Sequence, residues 1–99
     1  FAKLKAQNAG FQRYTIPKAV YPGLEKDNVT AAFPAHVLVS CKLPDDLVYN
    51  MAKSMTEALP DLANVNSSFK GKTVKDIGAA VDVKWHPGAL KYFKEKGAL

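Results

Sequence analysis

The middle of the chain changes from a continuous apolar run to a helical pattern of apolar positions. Residues 36–41 are apolar and β-branched for most of their length, which is typical of a strand buried on both faces. Over residues 47–59, apolar side chains recur at spacings of three and four, which predicts one amphipathic helix. Pro44 suits the start of this helix, and Pro60 suits its end. The pattern therefore predicts a core strand followed by the helix that covers it.

The N-terminal third predicts two short strands joined by a loop. Residues 11–16 and 29–33 are rich in strand-forming side chains. In the loop between them, Pro22 followed by Gly23 predicts a type II turn, because this turn needs a positive φ where the glycine stands. Ahead of the first strand, residues 1–10 have the composition of the end of a helix, with a glycine as its stop.

Two further helices are predicted in the C-terminal third. Residues 61–72 are polar and loop-prone, with room for one short helical turn. Thr73 and Asp76 then have the spacing of a capping box, which predicts a short helix over residues 74–80. Residues 81–85 alternate between apolar and polar side chains and are predicted to be extended.

The last helix has a marked beginning and end. His86 takes the N-cap position, Pro87 the first helical position and Gly97 the stop. Several lysines lie near its C-terminal end, where the helix dipole favours cations. A histidine at a helix N-terminus can either pull on an anion or act as a plain cap, and the plain cap is the interpretation we favour.

The charge of the chain is basic, and this leaves two function classes open. Fourteen Lys and Arg against nine Asp and Glu give a net charge of +5. Such a balance suits nucleic acid or an anionic membrane, but the lysines are spread out and Arg13 is the only arginine. The densest group is Lys70, Lys72 and Lys75, which we interpret as a solvated loop rather than a phosphate site.

The residues that carry catalytic and metal chemistry are few. Cys41 is the only cysteine, which excludes an internal disulfide, and its place in the predicted strand indicates a small core residue. His36 and His86 are far apart and lack the spacing of a metal motif, so no metal site is predicted. The sequence offers no nucleophile–base pair and no paired carboxylates in one motif, so neither an enzyme nor a cofactor is predicted.

Three motifs together resemble a known family of transport receptors. They are IPKAVYPG at 16–23, LPDDLVY at 43–49 and HPGALKYFKEKG at 86–97. In this order and spacing they resemble the C-terminal end of the TAXI-family solute receptors of tripartite ATP-independent periplasmic (TRAP) transporters. The chain begins at Phe1 without a Met, and we expect it to be a fragment, residues 1–99 forming the C-terminal part of such a receptor.

The resemblance implies a fold, a function and partners. The fold would be α/β, a segment of one lobe of a type II periplasmic binding protein with short strands covered by helices. The whole protein would be extracytoplasmic and would bind a small organic acid, such as glutamate or a dicarboxylate, for transfer to membrane permease subunits. It would not be an enzyme.

The candidate ligand-binding residues are Tyr21, Pro22 and Gly23. Ligands of open α/β folds bind where strands end and loops converge. Tyr21 combines a ring with a hydroxyl, and Gly23 lets backbone approach closely. The alternative is a tyrosine that only packs beside the turn.

Two further expectations concern partners. The alternative to a receptor is a small basic module that binds nucleic acid or other anionic partners, and a steep salt dependence would identify it. On the receptor interpretation no nucleic acid is bound. A fragment with an uncovered strand should instead self-associate, by edge pairing or by exchange of elements between chains.

Overall fold

The computed structural model describes residues 1–79 and 83–99. It divides the chain into two compact units, Phe1–Val37 and Leu38–Leu99, which are described separately. The elements in chain order are α1 (Ala2–Gln7), β1 (Gln12–Ile16), β2 (Asn28–Ala32), α2 (Asp45–Glu57), α3 (Leu59–Val65), a 3₁₀ turn (Ser67–Phe69), α4 (Val74–Ile77) and α5 (Pro87–Glu95). The predicted mixed α/β class is therefore confirmed. In the described part of the chain, no helix is long and apolar enough to cross a bilayer.

The first unit contains the hairpin that the sequence predicts. β1 and β2 pair antiparallel, from Gln12 opposite Ala32 to Ile16 opposite Asn28. Phe11 and Phe33 extend the pairing beyond the ladder, with ring centroids 6.0 Å apart in an edge-to-face arrangement. Both strands lie within one residue of their predicted bounds.

The core of the second unit lies between α2 and α5. The buried apolar side chains of this unit are Val48, Ala52, Leu59, Tyr92 and Phe93. The apolar stripe of α2 thus faces α5, as its spacing predicts. Val48 and Ala52 are the buried residues of this stripe. Aromatic rings pack in this core with their planes near-perpendicular or tilted to one another, so that ring edges contact ring faces.

A glycine sets the distance between these two helices. Gly88 is buried in the first turn of α5, and a Cβ placed there would lie 2.1 Å from the carbonyl oxygen of Asp45 and 2.9 Å from the backbone nitrogen of Tyr49. Only a residue without a side chain allows the two backbones to approach this closely. The glycine of the His-Pro-Gly motif is therefore a helix-packing residue.

The predicted strand at residues 36–41 is wrong for this chain. The segment has no regular secondary structure, and Val37 and Leu38 are 65% and 76% exposed. Cys41 is also exposed, so its prediction as a core residue is wrong too. The physical reason is pairing: a strand needs a neighbour for its backbone groups, and the sheet in the described residues contains only β1 and β2.

The helix boundaries after α2 also differ from the prediction. Pro60 does not end the helical region, because it lies in the first turn of α3, where a missing N–H costs nothing. Residues 61–65 are consequently helical rather than loop. α4 stops at Ile77, and Gly78 follows as its C-cap. Gly78 packs against Phe93, where a Cβ would lie 2.8 Å from the ring. The predicted extended segment 81–85 falls partly outside the described residues.

The end of α5 follows the prediction in atomic detail. Gly97 has a φ of +65°, its N–H donates to the Lys94 carbonyl at 3.0 Å, and the Ala98 N–H donates to the Phe93 carbonyl at 2.9 Å. These two bonds form a Schellman motif, which satisfies carbonyls that the last turn would leave without partners.

Replacing Gly97 by Val should destabilise the chain by about 1 kcal/mol or more, because a β-branched residue strains the left-handed backbone. Thermal unfolding of the variant measures the effect. Gly97→Asn is the matched control and should lose much less, since asparagine tolerates this conformation. Equal losses for valine and asparagine would contradict the left-handed cap.

Candidate functional site

The candidate ligand-binding residues lie in the loop that joins β1 to β2. Two turns follow each other there: the Val20 N–H donates to the Pro17 carbonyl at 3.0 Å, and the Leu24 N–H donates to the Tyr21 carbonyl at 3.3 Å. Gly23 has a φ of +91°, so the predicted type II turn is confirmed.

The base of this loop is tied across its width. The backbone N–H of Lys18 donates to a carboxylate oxygen of Asp27 at 2.9 Å. Below this bond, Ile16 and Asn28 form the last pair of the strand ladder. The loop is therefore held at its base and projects its two turns from the end of the hairpin.

Tyr21 lies at the projecting end of the loop and is 59% exposed. Ligand contact by Tyr21 and packing of Tyr21 beside the turn both stay predictions. Pro22 and Gly23 are exposed next to it. The three residues can offer a phenol, a ring face and approachable backbone to a ligand, and ligand binding at this loop stays a prediction.

Two shallow cavities lie elsewhere. One, of about 280 Å³ in the first unit, is lined by Asn8, Gly10, Phe11, Phe33, Pro34 and His36. The other, of about 310 Å³ between α2 and α5, is lined by Asp45, Asp46, Tyr49, Asn50 and Lys91. Neither cavity is lined by the candidate loop residues.

His86 connects the first turns of α2 and α5. Its Nδ1 accepts from the Gly88 N–H at 3.1 Å, which is the N-cap bond, and its Nε2 lies 3.1 Å from the Leu43 carbonyl oxygen. Because an amide can only donate and a carbonyl can only accept, the ring is the neutral Nε2–H tautomer. The plain-cap interpretation of this histidine is therefore confirmed, with both ring nitrogens engaged.

A second polar link joins the same helices further along. The Tyr49 hydroxyl donates to a Glu95 carboxylate oxygen at 2.6 Å, and this bond to an anion raises the pKa of Tyr49. The Lys91 ammonium lies 5.6 Å from the centroid of the Tyr49 ring. This tyrosine is thus engaged within the α2–α5 pair.

Asp76 caps α4 as the sequence predicts. Its carboxylate accepts from the Thr73 backbone N–H at 2.7 Å and from the Thr73 hydroxyl at 2.9 Å. Both bonds lower the pKa of Asp76 because they favour the charged carboxylate, and the bond from the Thr73 backbone contributes most.

We expect this cap to stabilise the chain only while Asp76 is ionised. A pKa lower in the folded than in the unfolded state means that the stabilisation is present above about pH 4 and is lost as the pH falls through the folded value. Asp76→Asn should therefore lower the melting temperature at neutral pH, and the gap to the wild type should narrow as acid is added. A gap that stays constant down to pH 2 would contradict this assignment.

Metal ligands and lysines are the remaining polar groups to consider. Among the described residues, no three His, Cys, Asp or Glu side chains are grouped so that they could hold a metal ion. Lys70, Lys72 and Lys75 are exposed, as predicted, although Lys75 lies in α4 and not in a loop.

The comparison with known proteins gives the class and the family of this chain. A family model, described as the NMT1-like family, matches residues 1–97. The match indicates a substrate-binding type of protein, and the fold is compatible with a fragment of a periplasmic-binding-like domain. The chain belongs to the NMT1-like family, which is related to periplasmic binding proteins. The resemblance found in the sequence is confirmed at this level; the TAXI type and the ligand stay predictions.

Sequence reasoning missed the two links between α2 and α5. The Nε2 bond of His86 and the Tyr49–Glu95 bond join residues more than forty positions apart. A signal for the first was present, since the His-Pro-Gly motif places a polar ring beside a glycine that admits another backbone. No local pattern pointed to the second.

Proposed function

We propose that this chain is part of an extracytoplasmic solute-binding receptor of the TAXI type, which serves a TRAP transporter. The observation that carries the proposal is the family match over residues 1–97. The order and spacing of the three sequence motifs support the finer assignment. The ligand on this proposal is a small organic acid such as glutamate or a dicarboxylate, and the protein passes it to membrane permease subunits without altering it chemically.

The hairpin loop suits a role at the edge of a binding cleft. Its tied base limits motion, and its end carries an exposed phenol that can donate a hydrogen bond to a carboxylate. Lys18 and Lys26 stand in the same loop and are exposed, and Glu25 and Asp27 balance their charge, so hydrogen bonding rather than net charge would attract an acid here. Tyr21, Pro22 and Gly23 would line one side of the cleft, and other residues of the receptor would supply the rest.

The test uses the natural protein that contains this chain. We expect an antibody raised against the chain to recover it from the extracytoplasmic fraction released by osmotic shock, and calorimetry with glutamate and succinate to show binding. Glucose, which carries no carboxylate, is the matched control ligand. Recovery from the cytosol alone, or no binding of any small organic acid, would overturn the proposal.

The loop is tested separately from the function. Tyr21→Ala in the natural protein should weaken acid binding about tenfold, the effect of one lost hydrogen bond. Tyr14→Ala is the matched control, because Tyr14 is similarly exposed, at 53%, but lies on β1. Unchanged acid binding by Tyr21→Ala would show that the loop is not part of the binding site, and it would not contradict the receptor function.

The isolated chain should behave differently from the whole receptor. We expect calorimetry to show no heat with glutamate or succinate, because the chain supplies only part of a cleft. Light scattering should show a dimer or larger species, because Val37 and Leu38 expose apolar surface on a segment that can pair as a strand. Micromolar acid binding by a monomer would contradict both expectations. Tight DNA or RNA binding that weakens steeply with salt would favour the basic-module alternative.

A further inference from the structure

The junction between α2 and α5 contains a titratable ring in a site that suits one protonation state. The His86 side chain is 5% exposed, and both ring nitrogens are within 3.1 Å of backbone partners. The Leu43 carbonyl precedes α2, and the Gly88 N–H lies in the first turn of α5. One imidazole therefore bonds the beginnings of two packed helices.

A proton on Nδ1 conflicts with this arrangement. The protonated nitrogen would point an N–H at the Gly88 N–H, so two donors would face each other and the cap bond would be lost. The added positive charge would also lie at the N-terminus of α5, where the helix dipole disfavours cations. The Nε2 bond to Leu43 survives, because that nitrogen keeps its hydrogen.

An acceptor for the new N–H is already close. A carboxylate oxygen of Asp45 lies 4.0 Å from Nδ1, beyond hydrogen-bond distance, and the Asp45 side chain is 70% exposed and so has room to turn. A bond from a cationic ring to a carboxylate is stronger than the neutral cap bond that it replaces.

Asp45 is the charged group that faces the ring at short range. Asp46 stands next to it in the first turn of α2. The first turn of α5 holds no acidic residue. The helix carries two lysines: Lys91, which lines a cavity together with Asp45, and Lys94 in the last turn. Lys84, two residues before His86, is exposed. Among these groups, Asp45 is the one with a charged atom 4.0 Å from the ring.

We infer that His86 and Asp45 form an acid-responsive link between α2 and α5. The neutral ring caps α5 through Gly88; when solvent donates a proton to Nδ1, the ring releases Gly88 and bonds to Asp45. The exchange is driven by acid, and it is tested by comparing pH 8 with pH 5, between which an unperturbed imidazole changes charge. The link does not depend on the proposed ligand or on the hairpin loop.

A double-mutant cycle tests this link on the full chain. The variants are Asp45→Asn, His86→Asn and the pair together; asparagine keeps an N-cap acceptor at position 86 but does not titrate. We expect the coupling between the two positions, measured as non-additive shifts in melting temperature, to be near zero at about pH 8. At about pH 5 it should reach roughly 4 °C. The cycle cancels the response of every other titrating group, including Asp76.

A second measurement keeps the inference testable if a variant does not fold. Nitrogen NMR of the wild-type chain should show Nδ1 without a hydrogen at pH 8 and protonated at pH 5, and the Gly88 amide signal should shift in step with it. Equal coupling at both pH values, or a Gly88 amide that does not follow the ring, would overturn the inference.

Discussion

Gly88→Ala should destabilise the second unit by about 2–3 kcal/mol, as expected for overpacking at a closed contact. The added Cβ would lie 2.1 Å from the Asp45 carbonyl oxygen, far inside van der Waals contact, so α2 and α5 would have to separate. Helix propensity alone predicts the opposite sign, because alanine stabilises a helix interior by about 1 kcal/mol relative to glycine.

Urea unfolding measures this effect when it is followed by the fluorescence of Trp85. Trp85 is the only tryptophan of the chain, and its ring packs against Phe93 of α5. Lys94→Ala is the control: the residue is exposed on the same helix, and its loss should change stability by less than about 0.5 kcal/mol. A Gly88→Ala variant as stable as the wild type would show that the two helices are further apart than described.

Phe93→Ala should have the largest effect, a loss of about 3–5 kcal/mol. The side chain is 3% exposed, its ring lies 5.2 Å from Trp85 and 5.4 Å from Tyr92, and it also contacts the position of Gly78. Truncation would leave a cavity at the centre of the unit and would remove two aromatic contacts together.

The matched control for this substitution is Phe33→Ala. Phe33 is 76% exposed and contacts Phe11 at the end of the hairpin, so the same truncation should cost less than about 1 kcal/mol. Both variants are compared by urea unfolding, with circular dichroism added to follow the hairpin. Similar losses for the two phenylalanines would place the core elsewhere.

Most elements of the fold could be predicted from the sequence because they depend on residues close together in the chain. The capping residues Thr73 and Asp76, the Pro22-Gly23 turn and the Gly97 stop all act within a few residues, and the structure places each as its chemistry predicts. The stripe of α2 was predictable for the same reason, since a helix presents its periodic face to whatever covers it.

The failures concern features that depend on distant partners. Residues 36–41 have the composition of a core strand, but a strand forms only beside another strand, and composition cannot supply one. The role of Pro60 was predicted wrongly because a proline can either end one helix or begin the next. The conformation of the chain after the proline distinguishes the two roles. For the candidate site, the turn was predictable from Pro22 and Gly23, whereas the bond from Asp27 that ties its base was not.

The exposed apolar run also has a consequence for how the chain associates. A segment of high strand propensity without charge nucleates aggregation when it stays uncovered. Here Pro34 precedes the run and Lys42 follows it, and a proline and a charge at these places act as gatekeepers that keep stacked strands from growing. We therefore expect these two flanking residues to limit association through this run to small species, whereas apolar residues at positions 34 and 42 would favour extended aggregates.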